Sequence, residues 1–131
     1  MNEDKNVAII TKIYEAFGKG DIPYILAQLQ SDVRWVAYLD AHVPTAGDWS
    51  GQAKVPGFFQ AIGDNMDVVA FTPGEFVSQG DTVVSMGDFD FKVRATGKSA
   101  KSHWIFVWKL RDGKVSSYEQ FHSPEISEAF R

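Results

Sequence analysis

The sequence predicts an α+β fold in which a curved, mostly antiparallel sheet wraps around three N-terminal helices to form a cone. Three observations lead to this prediction. Apolar residues recur at helical spacing in the first half of the chain, they alternate with polar residues in the second half, and turn signals separate the alternating segments. A chain of 131 residues, 44% of them hydrophobic, fits one domain, residues 1–131.

Three helices are predicted before the sheet begins. The first has an apolar stripe over Val7–Phe17 and ends at the glycines that follow. The second begins with Asp21 as its N-cap, and its apolar stripe reaches Leu29. The third runs from about Ala53 to Met66, with Pro56 in its first turn. All three have an apolar side that must pack against another layer.

Five strands are predicted. Val33–Tyr38 is rich in β-branched and aromatic residues, and the polar stretch Leu39–Gly51 after it is a loop long enough to be a lid. Four strands with turn signals between them follow as an antiparallel meander. They are Val68–Val77, Thr82–Arg94, Lys98–Leu110 and Lys114–His122.

Composition argues against several classes of function. Thirteen basic and seventeen acidic residues give a net charge of −4, which disfavours nucleic acid as a partner. No cysteine is present, and the three histidines lack the spacing of a zinc site, so neither a metal nor a cofactor is expected. No apolar run approaches the ~18 residues of a membrane span, and we expect a cytoplasmic protein with no membrane partner.

Aromatic residues make up 14% of the chain, and strand alternation places many of them on one face of the sheet. Some are needed simply as core, but a twisted sheet with aromatic rows on its covered face also encloses a pocket, expected to measure ~300 Å³ or more. The predicted ligand contacts are Tyr14, Trp35, Tyr38, Trp49, Phe58, Phe59, Phe89, Phe91, Trp104, Phe106, Trp108, Tyr118 and Gln120. Such a pocket favours a small hydrophobic or aromatic molecule.

Two groups of residues are candidates for acid/base catalysis. His122 shares the inner face of the last strand with Tyr118 and Gln120. Because the sequence identifies no partner that would orient this histidine, a hydrogen-bonded residue at the pocket rim is the simpler interpretation. Asp40 and His42 are two residues apart and would face the same way on an extended backbone. The alternative for that pair is an exposed, solvated loop.

Several segments carry a resemblance to a known family. The opening IYEAFGKGDIPYILAQLQSDVRW, the short GDWSG and the segment TGKSAKSHWIFVWKLRDGKVSSYEQF resemble the nuclear transport factor 2-like superfamily, in its SnoaL-like polyketide cyclase and ketosteroid isomerase-related branch. The resemblance covers nearly the whole chain. It implies a cystatin-like α+β cone, a binding site deep inside it and a homodimer formed through the outer face of the sheet, where His103 lies.

The resemblance also allows a test for steroid-isomerase chemistry, which needs a tyrosine and two aspartates. In this sequence the tyrosine position falls on Ile13 and the two aspartate positions fall on Ala37 and Phe106. A shift of one residue would place Tyr14 at the tyrosine position. SnoaL-like cyclases use an aspartate in the cone that has no obvious equivalent here, and Ser123 stands where many relatives carry aspartate. Neither mechanism is therefore expected.

Two functions remain. One is a cofactor-independent isomerase, cyclase or hydrolase that moves a proton on a small hydrophobic or aromatic compound, with His122 or the Asp40/His42 pair as acid and base. The other is a non-catalytic ligand-binding or stress-associated domain of the same fold.

Overall fold

A six-stranded, curved and unclosed sheet packed against helices forms the fold in the computed structural model, which describes residues 2–131. The elements are α1 (Asn2–Gly18), α2 (Ile22–Ala27), β1 (Leu29–Tyr38), β2 (Gly47–Asp48), α3 (Val55–Asn65), β3 (Met66–Gln79), β4 (Thr82–Val93), β5 (Ser99–Arg111), β6 (Lys114–His122) and α4 (Glu125–Ala129). The α+β prediction, with three helices before the meander, is confirmed.

The strand order is β2-β1-β6-β5-β4-β3, and β3 to β6 form the predicted antiparallel meander. β1 adds to the free side of β6 in parallel orientation, which the sequence pattern does not specify. This pairing sets Trp35 beside Tyr118, and β5 sets Trp108 on the other side of Tyr118. Three aromatic side chains from three strands therefore lie next to one another on the inner face.

Alternation along β5 matches the prediction. Trp104, Phe106 and Trp108 are at most 7% exposed, whereas Ile105 between them is 46% exposed. The even-numbered residues of β5 face the helices, as do the odd-numbered Phe89 and Phe91 of β4. The aromatic rows therefore line the inside of the curved sheet.

The second helix is shorter than predicted and the first strand longer. α2 ends at Ala27, and β1 begins at Leu29, a residue assigned to the helical stripe. Leu29 pairs with Val115, whose amide donates to the carbonyl of Gln28 at 2.8 Å. Pairing with β6 outweighs local helix propensity here, because it buries Leu29 and satisfies backbone groups together.

Two short elements were not predicted. β2 pairs with Val36 and Ala37 and begins at Gly47, whose φ of 108° is open to glycine and rarely to other residues. α4 follows β6, and its inner side carries the apolar spacing of Ile126, Ala129 and Phe130. That spacing after Pro124 is a helix signal that sequence analysis missed.

The 39–51 segment is packed rather than free. Val43 and Thr45 are at most 2% exposed, and the amide of Trp49 donates to the carbonyl of Trp35 at 2.7 Å. It forms part of the wall of the cone, so the structure gives no support to a loosely held lid. Within residues 2–131, no helix combines the length and the apolar character that crossing a membrane requires.

Candidate functional site

The inside of the cone holds a cavity of about 70 Å³. The predicted contacts that line it are Tyr14, Trp35, Phe58, Phe59, Phe89, Trp104, Phe106, Trp108, Tyr118 and Gln120, together with His122. The cavity is smaller than the ~300 Å³ expected of a ligand pocket. The rings fill the space by packing on one another: Trp104 and Phe106 stack with centroids 4.0 Å apart, and Trp35 lies 4.1 Å from Tyr118.

Three predicted contacts lie outside the cavity wall. Tyr38 is on the outer face, 45% exposed and stacked on Phe121 at 4.9 Å, because alternation along β1 turns it away from Trp35. Phe91 is buried behind Phe89. Trp49 packs on the outer side of α3 against Gly57, and its indole N–H donates to the carbonyl of Thr45 at 3.0 Å.

Sequence reasoning missed other residues of the wall, namely Ile13, Phe17, Ile25, Thr45, Ile62, Met66, Phe71 and Ile126. Most belong to helical stripes that were identified only as core. Phe71 stands opposite Phe89 in the β3–β4 register, but bulges on both sides of it obscure the alternation of β3. Ile126 was missed because α4 was not predicted.

A chain of hydrogen bonds runs along the inner face of β6. The Tyr118 hydroxyl donates to Oε1 of Gln120 at 2.5 Å, and Nε2 of Gln120 donates to Nε2 of His122 at 3.2 Å. Nδ1 of His122 lies 3.0 Å from Oγ of Ser102, a residue that parity along β5 places on the same face. With Nε2 accepting, Nδ1 carries the hydrogen and donates it to Ser102. The chain thus fixes the neutral tautomer of His122.

Burial also affects the charge of His122. Desolvation lowers the pKa of its imidazole from 6.5 to about 4. The ring is therefore neutral at pH 7, with its unprotonated nitrogen on the Gln120 side. A neutral imidazole held in one tautomer can accept a proton from a ligand.

The lowered pKa makes folding sensitive to acid. Between pH 6.5 and 4 the unfolded chain binds a proton at His122 that the folded chain does not, so stability present above pH 6.5 is lost as the pH falls. From pH 7 to pH 4.5 this group should remove about 2 kcal/mol from the free energy of unfolding. Urea unfolding at the two pH values measures the loss. His122→Gln should lack this component, and an equal loss in both proteins would refute the assignment.

A second buried network includes Tyr14 on α1. The indole N–H of Trp108 donates to the Tyr14 hydroxyl at 2.8 Å, and that hydroxyl bonds to Oγ of Ser85. Burial raises the pKa of Tyr14 far above that of a free phenol, outweighing both hydrogen bonds. Tyr14 is therefore a neutral phenol tied to protein partners, beside Ile13 at the tyrosine position implied by the resemblance.

The structure separates Asp40 from His42. The chain turns at this point, with the amide of Val43 donating to the carbonyl of Asp40, so the extended backbone assumed for the pair is absent. Nε2 of His42 lies 2.9 Å from the carbonyl oxygen of Ser127 on α4, and Asp40 faces Arg131 at 3.9 Å. His42 thus bonds to the C-terminal segment, whereas Asp40 and Arg131 form an exposed pair at the limit of ion-pair distance.

The other charged groups form no metal site within residues 2–131, where no three His, Asp or Glu side chains cluster closely enough to hold an ion. His103 lies on the outer face, as predicted, and bonds to Asp88.

His122 stands between the cavity and a groove of about 440 Å³ on the surface, because its side chain contributes to the walls of both. The groove runs between the end of β1 and the start of α4, past Leu39, Asp40 and Pro124. The side chain of His122 is thus the point at which the cavity wall and the groove wall meet.

Comparison with known proteins identifies the fold. A family model described as the SnoaL-like domain matches residues 10–118. An NTF2-like protein from Burkholderia xenovorans LB400 superposes with a TM-score of 0.88 at 26% identity, covering 98% of both chains. An NTF2-like protein of unknown function from Burkholderia pseudomallei K96243 gives 0.84 at 26% identity, over 95% of this chain and 93% of that one. These matches confirm the predicted cone.

A third similar structure is TerC, co-crystallized with polyporic acid. Its TM-score is 0.82 at 27% identity, and the alignment covers 96% of this chain and 98% of TerC. No curated protein sequence matches this chain at a significant level.

Proposed function

This chain belongs to the SnoaL-like domain family, and on that basis we propose that its cone binds a small apolar or aromatic carbonyl compound on which His122 moves a proton. The reaction class is that of a cofactor-independent isomerase, cyclase or hydrolase. The observation that carries the proposal is the position of His122, neutral, held in one tautomer and shared by the cavity and the surface groove.

The chemistry follows from the two nitrogens of the imidazole. Nδ1–H is bound to Ser102, so Nε2 is the nitrogen that takes a proton. A C–H bond next to the ligand carbonyl breaks, the proton moves to Nε2, and the electron pair forms an enolate with its charge on the carbonyl oxygen. Return of the proton to the same or another carbon restores neutral His122. Gln120, which donates to Nε2 at 3.2 Å, must turn aside for this step.

Space for a ligand must come from the groove side, since two fused rings do not fit a 70 Å³ cavity. α4 is the wall element that is simplest to displace. It has five residues and contributes Ile126 to the cavity wall. Two hydrogen bonds fasten it, from His42 to Ser127 and from Thr96 to the carbonyl of Ala129 at 2.7 Å. Its displacement would join the cavity to the groove.

The similarity to TerC supports an aromatic ligand. TerC was crystallized with polyporic acid and is 27% identical to this chain over nearly its full length. The apolar wall built from rings of β5 and β6 is suited to the same kind of molecule.

Deuterium exchange tests the proposal without knowledge of the natural substrate. 1-Indanone, a flat aromatic ketone, is incubated with the protein in D₂O at pH 7, and loss of its C2 proton signals is followed by NMR. We expect the wild-type protein to accelerate exchange. His122→Gln should lower the protein-catalysed rate at least about 100-fold, because general base catalysis contributes about that much.

His103→Gln is the matched control, since His103 lies on the outer face, paired with Asp88. It should keep the wild-type rate. Retention of activity in His122→Gln, or its loss in His42→Ala instead, would contradict the assignment of the base.

The second candidate is a ligand-binding domain without catalysis. The hydrogen bond from Gln120 favours it, because it occupies the nitrogen that would act as base. Binding of 1-indanone without acceleration of exchange would support this alternative and refute the enzymatic one.

We also propose that a second copy of the chain covers the outer face of the sheet. Tyr38, Phe121 and Ile105 are between 41% and 46% exposed and adjacent across β1, β6 and β5, so they form one apolar row. Arg34 and Glu119 lie together beside the row, 3.6 Å apart, and their opposite charges pair within the chain, so neither brings an unpaired charge to the interface. A twofold axis would set the row against its own copy.

Light scattering at micromolar concentration should give the mass of a dimer for the wild-type protein. Ile105→Glu places a carboxylate in the centre of the row and should give the mass of a monomer. Lys109→Glu, on the same face of β5 but outside the row, serves as the control for an added acidic residue. A monomeric wild-type protein would rule the dimer out.

A further inference from the structure

We infer that the ligand carries a carbonyl-type oxygen bound by the indole N–H of Trp104, that a longer ligand places a second oxygen at the indole N–H of Trp35, and that these donors select carbonyl compounds over hydrocarbons and alcohols. The inference rests on the proposed function and specifies how its site recognises a ligand.

The four tryptophans fall into two pairs. The indole N–H of Trp49 donates to Thr45, and that of Trp108 donates to Tyr14. The indole nitrogens of Trp35 and Trp104 are buried, and within residues 2–131 neither has a hydrogen-bond acceptor. Both residues are 1% exposed and both belong to the cavity wall. A buried donor without an acceptor is unfavourable. A ligand that supplies a hydrogen-bond acceptor to these two N–H groups would therefore be stabilised.

The other polar groups of the cavity wall have partners within the protein, so the ligand must bring hydrogen-bond acceptors for the two indole N–H groups. The Tyr118 hydroxyl already donates to Gln120, and Tyr14 bonds to both Ser85 and Trp108. The Tyr14 oxygen accepts from Trp108 and Nε2 of His122 accepts from Gln120. The unused lone pair on the Tyr118 oxygen is less costly than an unbonded N–H. A ligand oxygen that only accepts therefore fits better than a hydroxyl, which also brings a donor.

Charge narrows the ligand class further. Among the described residues 2–131, no Lys, Arg, Asp or Glu lines the cavity. A carboxylate or phosphate would be buried there without a cation to pair with, which is strongly unfavourable. A neutral carbonyl oxygen on an apolar or aromatic framework satisfies the donors without that penalty.

Trp104 and His122 are opposite each other in the β5–β6 register and face the same side of the sheet. The indole of Trp104 extends over Gly87 of β4, on the side of β5 away from His122. A ligand bound to the indole N–H of Trp104 therefore reaches the imidazole only by spanning β5. Trp35 is opposite Tyr118, which comes four residues before His122 on β6. At the rise of a strand, Tyr118 and His122 are about 13 Å apart. Trp35 would bind an oxygen at the other end of a longer ligand.

Three probes of matched shape test the inference: 1-indanone, 1-indanol and indane. ¹⁵N–¹H NMR spectra show one indole N–H signal for each tryptophan, and the four Trp→Phe variants assign them. We expect 1-indanone to move the Trp104 signal downfield, as a new hydrogen bond does. We also expect it to bind about five-fold more tightly than indane, the gain typical of one neutral hydrogen bond. 1-Indanol should bind with an affinity close to that of indane.

Trp104→Phe keeps an aromatic ring but removes the N–H, and it should reduce the preference for 1-indanone over indane to near unity. Trp49→Phe, outside the cavity wall and already bonded to Thr45, should leave the preference unchanged. Equal binding of indane and 1-indanone, or tightest binding of 1-indanol, would overturn the inference while leaving the apolar pocket in place. Binding of none of the three would refute the pocket and the inference together.

Discussion

The Trp35→Ala substitution should lower the free energy of unfolding by about 4 kcal/mol, as expected for truncation of a fully buried tryptophan. Trp35 is 1% exposed and joins the sheet to α3. Its ring lies 4.1 Å from Tyr118, 5.6 Å from Phe58 and 5.9 Å from Trp108. Truncation leaves a hole where these rings meet, and the rigid sheet closes it only in part. Urea denaturation monitored by circular dichroism measures the change.

Trp35→Phe separates ring packing from the indole N–H. It retains most of the buried ring and removes a donor that has no acceptor, so its loss should be well below that of Trp35→Ala. In the Ile105→Glu background, which removes the proposed dimer contact, Tyr38→Ala on the exposed face of β1 should change stability by about 1 kcal/mol at most. A loss at Tyr38 equal to that at Trp35 would contradict the assignment of the two faces.

Gly87→Ala should cost about 3 kcal/mol, because Gly87 leaves room for the indole of Trp104. A Cβ atom at Gly87 would lie 2.3 Å from Cζ2 of Trp104 and 2.5 Å from the carbonyl oxygen of Thr72. The second contact is with backbone, so the alanine cannot be accommodated by a side-chain rotation alone. Either the indole or strand β3 must move, and both border the cavity.

Gly63→Ala is the matched control. Gly63 lies in α3, and a Cβ there meets no atom within 4 Å. This substitution should raise stability by up to about 1 kcal/mol, since alanine favours a helix over glycine. Equal stability of the two variants would show that Trp104 does not lie over Gly87.

Strand alternation accounts for much of the site. The residues of β5 and β6 are regular along their inner faces, so counting by two is enough to put Trp104, Phe106 and His122 on one side. The same alternation could have predicted Ser102 on the inner face, because it precedes Trp104 by two residues. Tyr38 was wrongly predicted as a ligand contact because alternation was not applied to β1. Counting by two from Trp35 places Tyr38 on the outer face.

Other parts of the site depend on contacts distant in sequence. The parallel pairing of β1 with β6 is set by burial of both strands, not by any turn between them. The turn at Asp40 separates that side chain from His42. Their partners are Ser127 in α4 and Arg131 beyond it. The sequence of the 39–51 segment alone therefore does not predict these contacts. The lowered pKa of His122 likewise follows from desolvation of its partly buried ring by the assembled cone.

A crystal structure with 1-indanone, the neutral aromatic ketone of the exchange experiment, tests the central claim most directly. We expect the molecule inside the cone, with an aromatic ring against Phe106, an oxygen at the indole nitrogen of Trp104, and α4 displaced to enlarge the cavity beyond 70 Å³. A cone with unchanged packing and no bound molecule, obtained from crystals grown at a saturating concentration, would contradict the claim that this fold holds an aromatic ligand beside His122.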